Sequence, residues 1–176
     1  MATPIVNLSN LDGSNGFRLN VKTADNFFSD ISVSNAGDVN GDGYDDVIIG
    51  DDSGFSYVVF GRASGFGVAM DLSSLDSNSG FRLDGKGSKG AVSTAGDVNG
   101  DGFADVLAGA PNFANGQIGE GAALLYFGGA VMNNVVDAVL EGNQVDAEFA
   151  RSVAAAQDVN GDGYADVVIG AAQAMS

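Results

Sequence analysis

The chain contains no cysteine, no histidine and no tryptophan, and only two prolines in 176 residues. Without cysteine there are no disulfides, no thiolate zinc sites and no cysteine nucleophiles. That absence leaves the compartment open, since secreted and cytosolic chains alike do without cysteine. Without histidine the commonest general base and transition-metal ligand is missing. Positive charge is scarce too: 7 Lys and Arg stand against 23 Asp and Glu, a formal charge of −16. Nucleic acid and anionic membrane surfaces both call for a cationic face, so neither is expected as a partner. The longest apolar stretches run to a few residues, far below the ~20 that span a bilayer, and no membrane insertion is expected. Residues 1–16 carry neither a basic start nor an apolar run and do not read as a secretory signal peptide. An apolar content of 45% argues against disorder, and the length suits one ordinary domain.

What abounds is aspartate and glycine. Twenty of the 23 acidic residues are Asp, and Gly numbers 27. Short carboxylates among glycines indicate tight turns or oxygen-rich metal sites. The string DVNGDGYDDVIIG begins at Asp38, DVNGDGFADVLAG at Asp97 and DVNGDGYADVVIG at Asp158, at spacings of 59 and 61 residues. Other pieces keep the register. Ile31-Ser32-Val33-Ser34, Ala91-Val92-Ser93-Thr94 and Ser152-Val153-Ala154-Ala155 lie just before the Asp loops. Tyr57-Val58-Val59-Phe60-Gly61 matches Leu124-Leu125-Tyr126-Phe127-Gly128, and Gly16-Phe17-Arg18-Leu19 matches Gly80-Phe81-Arg82-Leu83. Recurrence at a fixed period is the signature of a repeat architecture.

Each unit reads as short strands between turns. The runs after the Asp loops (Val47-Ile48-Ile49, Val106-Leu107-Ala108, Val167-Val168-Ile169) are continuously apolar, as strands buried on both faces are. The small residues before the loops suit an innermost strand crowded around an axis. A third strand of the YVVFG type and a fourth of the GFRL type complete a four-stranded antiparallel blade. Blades repeated around a centre form a β-propeller, so the expected fold is all-β, with about three repeats in a partial propeller or an oligomer-completed ring. Val131, Val135, Val136, Val139 and Leu140 also fit a helical turn. The register instead aligns Leu140-Glu141-Gly142 with Leu83-Asp84-Gly85 and predicts a strand there. The expected divisions are a closing or outer strand segment at 1–23, a first repeat at 24–83, a second at 84–142 and a truncated third at 143–176.

The Asp loops carry the clearest chemistry. Asp38, Asn40 and Asp42 occupy loop positions 1, 3 and 5, Tyr44 at position 7 offers a carbonyl, and Asp46 at position 9 adds a carboxylate. The second loop supplies Asp97, Asn99, Asp101, the Phe103 carbonyl and Asp105; the third supplies Asp158, Asn160, Asp162, the Tyr164 carbonyl and Asp166. A set of oxygen donors alone suits a hard cation, and Ca²⁺ is favoured over Mg²⁺, which keeps its waters. Three Ca²⁺ sites are expected. An EF-hand requires a bidentate Glu at position 12 and flanking helices, whereas Ile49, Ala108 and Ile169 stand there. The alternative is an Asx-rich hairpin turn without metal, in which three neighbouring carboxylates repel one another with no cation between them.

These residues resemble the FG-GAP repeat family of integrin α chains and of bacterial surface and secreted proteins. Phe60-Gly61 and Phe127-Gly128 supply the FG, and Gly109-Ala110-Pro111 the GAP, with Gly50-Asp51-Asp52 and Gly170-Ala171-Ala172 as looser versions. The family also has an FG-type pair ahead of each loop. Phe149-Ala150 approximates it in the third copy, while Ser29-Asp30 and Ser88-Lys89 stand in the others. The resemblance implies a propeller whose metal loop joins the first two strands of a blade and whose ligands bind the opposite face or the rim. It also implies about seven blades, so the chain reads as a piece of a longer array or as a subunit that completes a ring with other copies.

The expected function is a calcium-stabilised adhesion or scaffold module, extracellular or at the cell surface. Loops of this type in extracellular modules bind at roughly 10⁻⁴–10⁻³ M and fill outside cells. Expected partners are a protein or glycan ligand at the cell surface and further blades of the array or other copies of the chain. Candidate recognition loops are 22–30, 51–56 and 111–121. The alternative is a carbohydrate-binding, lectin-like propeller or an accessory module of a secreted enzyme. No catalytic activity is expected: a carboxylate pair of the glycosidase kind is the remaining option, and most Asp residues are committed to the loops.

Overall fold

Apolar runs of five or so residues between Asp and Gly become strands because both of their faces are covered. The computed structural model describes residues 7–21, 31–51, 53–84 and 91–172. In chain order its strands are β1 (Arg18–Asn20), β2 (Ser32–Gly37), β3 (Asp46–Gly50), β4 (Ser56–Val59), β5 (Ala69–Asp71), β6 (Gly80–Leu83), β7 (Val92–Gly96), β8 (Asp105–Ala110), β9 (Ala122–Tyr126), β10 (Ala138–Glu141), β11 (Ser152–Gln157) and β12 (Asp166–Gly170). Among the described residues the helical segments are two single 3₁₀ turns, Leu8–Asn10 and Leu72–Ser74. No helix there is long and apolar enough to cross a membrane. Residues 22–30, Asp52, the Ser88-Lys89 pair and residues 173–176 lie outside the described residues.

Two four-stranded sheets have the order β2-β3-β4-β6 and β7-β8-β9-β10, antiparallel throughout. A third sheet holds β11 and β12, paired like the first two strands of the others. These are blades of a propeller, and the described residues do not close a ring. Strand β10 pairs with β9 so that Leu140 lies opposite Ala123, just as Leu83 lies opposite Ser56. The repeat register therefore holds through 138–141, where helical spacing pointed the other way.

Ile48 and Val58 on one side of the first blade meet Val106, Leu124 and Tyr126 of the second. Leu107 and Ala123 on the far side of the second meet Val153, Val167 and Ile169 of the third. Alternate residues of one strand thus serve opposite interfaces, which explains the unbroken apolar runs. Ile48 and Leu107 are wholly buried, each worth about 1.5–3 kcal/mol of apolar transfer. The equivalent Val168 is 59% exposed because no blade covers it among the described residues.

The outer face of the first blade is covered differently. Strand β1 pairs in parallel with β5, in the connection between β4 and β6. Leu19, Val21, Phe66, Met70 and Leu75 pack there on Ile49, Val59 and Leu72. Phe17 stacks on Phe66 at 3.9 Å between ring centroids. The innermost strands β2, β7 and β11 lie side by side, with β7 in the middle. Their small residues let backbones approach: the Val92 N–H donates to Ser32 Oγ at 3.1 Å and the Ala155 N–H to Ser93 Oγ at 3.3 Å.

Candidate metal centres in the aspartate loops

Each Asp loop follows a bulge at the end of an innermost strand. The pairing shifts between Asn35 and Gly37, between Thr94 and Gly96, and between Ala155 and Gln157. The chain then turns back over itself and re-enters the sheet at Asp46, Asp105 or Asp166.

The position 1 carboxylate organises the turn. Asp38 accepts from the N–H groups of Gly41 (2.8 Å), Asp42 (3.1 Å) and Gly43 (2.9 Å). Asp97 does the same for Gly100, Asp101 and Gly102, and Asp158 for Gly161, Asp162 and Gly163. At position 3, Asn40 accepts from the Asp42 N–H and donates its amide to Asp42 Oδ2 at 3.1 Å. At position 5, Asp42 accepts from the Tyr44 N–H at 2.9 Å. Asn99, Asp101, Asn160 and Asp162 repeat these bonds toward Phe103 and Tyr164. The position 9 carboxylate ties the loop to the sheet. Asp46 accepts from Val39 N–H at 2.9 Å and from Gly61 N–H at 2.7 Å, and Asp105 from Val98 and Gly128 in the same way. Asp166 accepts from Val159 N–H at 2.9 Å.

Burial pushes the Asp46 and Asp105 carboxyls up to about 6, against the pull of the two N–H donors on each. The charges of Asp42 and Asp38, or of Asp101 and Asp97, push in the same direction as burial. The ion pairs among the described residues join Arg82 to Asp84 and Arg151 to Glu148, and neither involves a loop carboxylate. Among the described residues, therefore, the three acids of each loop have no protein cation against them. All five donors of a loop are oxygens, and a carboxylate offers about four lone-pair sites, so the bonds above leave Asp42 and Asp46 with capacity for a hard cation. The donor chemistry fits. The carboxylates are nevertheless turned onto backbone N–H groups, and among the described residues no three acidic side chains converge closely enough to hold an ion by themselves.

Successive loops are stitched together. The Ala104 N–H donates to the Asp38 carbonyl at 3.1 Å and the Ala165 N–H to the Asp97 carbonyl at 2.9 Å. The ring of Phe103 lies over Gly41 and that of Tyr164 over Gly100. At position 7, Phe103 and Tyr164 thus each place an aromatic ring on the preceding loop, a role that residue type, rather than spacing, could have signalled.

The FG-GAP repeat family model matches residues 83–124 and 149–175. The chain carries FG-GAP repeats. The matched segments contain the second and third Asp loops, and the first loop, outside them, has the same hydrogen bonds. The chain is also 31% identical to integrin alpha-5 of Xenopus laevis over 153 residues, which is 80% of this chain and 14% of that protein.

The FG glycine has a steric and a polar reason here. A Cβ on Gly61 would lie 2.4 Å from the Asp45 carbonyl oxygen, and one on Gly128 would lie 2.3 Å from that of Ala104. The glycine N–H is the one bonded to Asp46 or Asp105. In the GAP stretch, a Cβ on Gly109 would lie 2.1 Å from the Ala150 carbonyl oxygen, which docks the FG-like pair ahead of the third loop.

Of the candidate recognition loops, 51–56 is held by buried Asp51, which accepts from the Ser53 N–H and hydroxyl and from the Phe55 N–H. In 111–121, buried Glu120 accepts from the Asn115 N–H, and the Asn115 amide donates to Glu141 at 2.7 Å. Asp51 and Glu120 are thus spent on internal bonds. A recess lies elsewhere: a cleft of about 940 Å³ beside the first Asp loop, lined by Asp42, Tyr57, Asn78, Phe81, Arg82 and Asn133 among others. Its walls come from 72–82 and 130–134, segments far apart in sequence, so no local motif announces it.

Proposed function

We propose that the chain is a calcium-stabilised propeller module of an extracellular or cell-surface protein, serving adhesion or acting as a structural scaffold without catalytic activity. The observation that carries this reading is the loop built three times with the same oxygen-bearing side chains and the same hydrogen bonds, whose acids have no Lys or Arg paired to them among the described residues. Asp38, Asn40, Asp42, the Tyr44 carbonyl and Asp46 would hold one Ca²⁺, and the corresponding residues of the other loops two more. The ion supplies countercharge and fixes the turn between the first two strands of a blade. The likeness to an integrin α chain supports a surface setting and protein partners, and further blades or other copies of the chain are the natural neighbours of the third blade.

Metal that binds only the folded state stabilises it by about 0.4–1.4 kcal/mol per site when ~1 mM Ca²⁺ meets a dissociation constant of about 10⁻⁴–10⁻³ M. In a domain of this size that is about 1–6 °C per site. Thermal melting in ~1 mM Ca²⁺ and in chelator should differ by the sum over three sites; coincident curves would overturn the reading. Asp42→Asn keeps an acceptor for the Tyr44 N–H while removing the charge. It should leave melting in chelator unchanged or slightly higher and lose one site's share of the calcium shift.

A second reading, glycan binding, draws on the cleft beside the first loop, where Asn, Asp and Arg side chains meet the rings of Tyr57 and Phe81. Selective retention on a glycan array, lost in chelator and in Asn133→Ala, would favour this reading over protein adhesion.

A further inference from the structure

The dipeptide Asn-Gly occurs five times, at Asn15, Asn40, Asn99, Asn115 and Asn160, and the fold holds the copies unequally. A glycine after asparagine has no side chain to shield its amide nitrogen, and its backbone turns freely enough to bring that nitrogen onto the asparagine side chain. In the Asp loops this freedom is lost. The Gly41, Gly100 and Gly161 N–H groups donate to Asp38, Asp97 and Asp158 at 2.7–2.8 Å. Asn40, Asn99 and Asn160 are each held at both side-chain atoms, accepting from the N–H and donating to the carboxylate of Asp42, Asp101 or Asp162. Asn15 is held at both atoms too, by the Asp12 N–H at 3.1 Å and the Asn10 carbonyl at 2.9 Å.

Asn115 differs. With Gly116 it lies on an exposed turn, at the other end of β8 from the Asp loop. Gly116 adopts φ 112°, which the turn reserves for glycine, and a Cβ there would meet nothing within 4 Å. Neither the Gly116 N–H nor the Asn115 Oδ1 has a partner among the described residues. The side chain makes a single bond, its amide donating to Glu141 at 2.7 Å. The Asn115 N–H in turn donates to the buried carboxylate of Glu120.

We propose that Asn115-Gly116 is a site of spontaneous deamidation that loosens the 111–121 loop. The Gly116 amide nitrogen bonds to Asn115 Cγ, the Cγ–Nδ2 bond breaks, and the glycine's proton leaves on the departing ammonia. Water then opens the five-membered imide at one carbonyl or the other, giving aspartate or an isoaspartate whose main chain is one carbon longer. Either product sets a carboxylate against Glu141 where an amide donated before, on the residue whose N–H anchors Glu120. Like charges at that distance repel, and the tie between the loop and β10 is lost.

The test follows each asparagine by peptide mass spectrometry while the full chain stands at mildly alkaline pH, once folded and once in urea. Chelator is present throughout, so no metal shields the Asp loops. In the folded chain Asn115 should convert about tenfold or more faster than Asn40, Asn99 and Asn160, whose bonds must first open at a cost of ~1.4 kcal/mol or more. In urea the rates should converge, because the dipeptide is the same. Asn115→Asp, which carries the charge from the start, should speed amide exchange within 112–121. The proposal is overturned if Asn115 converts no faster than the loop asparagines, if its lead persists undiminished in urea, or if Asn115→Asp leaves exchange in that loop unchanged. None of these readouts depends on calcium, so failure here and failure of the metal sites are told apart.

Discussion

Gly128 and Gln157 are single residues that decide how the repeat is built. Gly128 sits where any Cβ meets the Ala104 carbonyl oxygen at 2.3 Å, and its N–H satisfies wholly buried Asp105. Gly128→Ala should therefore cost about 1–3 kcal/mol, visible as a lower urea midpoint with an unchanged slope. Gln157 shows the opposite case. The first two copies close the bulge with Gly37 at φ 75° and Gly96 at φ 74°, while the third places Gln157 at φ 60°. A left-handed backbone costs a side-chain-bearing residue about 1–2 kcal/mol, partly offset by the greater freedom of glycine in the unfolded chain. Gln157→Gly should stabilise by up to about 1 kcal/mol, raising the melting temperature by a few degrees. No change, or a loss, would mean that the Gln157 side chain makes a compensating contact.

At the scale of elements, the blades are joined at their inner strands by serine hydroxyls and at their loops by main-chain bonds. Ser93→Ala removes the acceptor for the Ala155 N–H in a part-buried position and should cost about 1 kcal/mol. Hydrogen exchange is expected to rise in β11 rather than in β8, because among the described residues the third blade has two strands and depends on this seam. Much at this scale was legible in the chain. The small residues of 32–34, 92–94 and 152–155 marked inner strands, and the runs at 47–49, 106–108 and 167–169 marked strands buried on two faces. Strand β5 was not legible: Ala69-Met70-Asp71 has no alternation or apolar run, and it is a strand because β1 lies beside it.

The whole molecule has two unlike faces. On the first blade, β1, β5 and the 66–75 segment form a cover over Ile49 and Val59, as capping elements do at the end of a repeat array. The third blade leaves Val159 at 72% and Val168 at 59% exposure, where Val39 and Ile48 of the first blade are fully buried against the second. Apolar surface of that kind associates. Light scattering on a size-exclusion column should show concentration-dependent mass, and Val159→Asp with Val168→Lys should hold the chain monomeric without lowering its melting temperature. Unchanged association would place the sticky surface elsewhere. A further blade docked as the second and third are docked would meet the Gln157 Cβ, since a Cβ at Gly37 or Gly96 lies 2.6 Å from that of Ala104 or Ala165. A neighbour on this face therefore docks with a small shift or brings glycine at loop position 8.

Sequence alone determined the repeat, its register, the all-β class and the turns that the Asp loops make, because these depend on residue type at fixed spacing: short oxygen-bearing side chains among glycines, and apolar runs bounded by turns. Even the strand at 138–141 followed from register against a helical period. Only the tertiary structure decided what those residues touch. The stitching of Phe103 and Tyr164 onto preceding loops, the parallel pairing of β1 with β5, and the cleft between 72–82 and 130–134 all join segments distant in the chain. Contacts of that kind are set by how blades stack, and no local spacing encodes them.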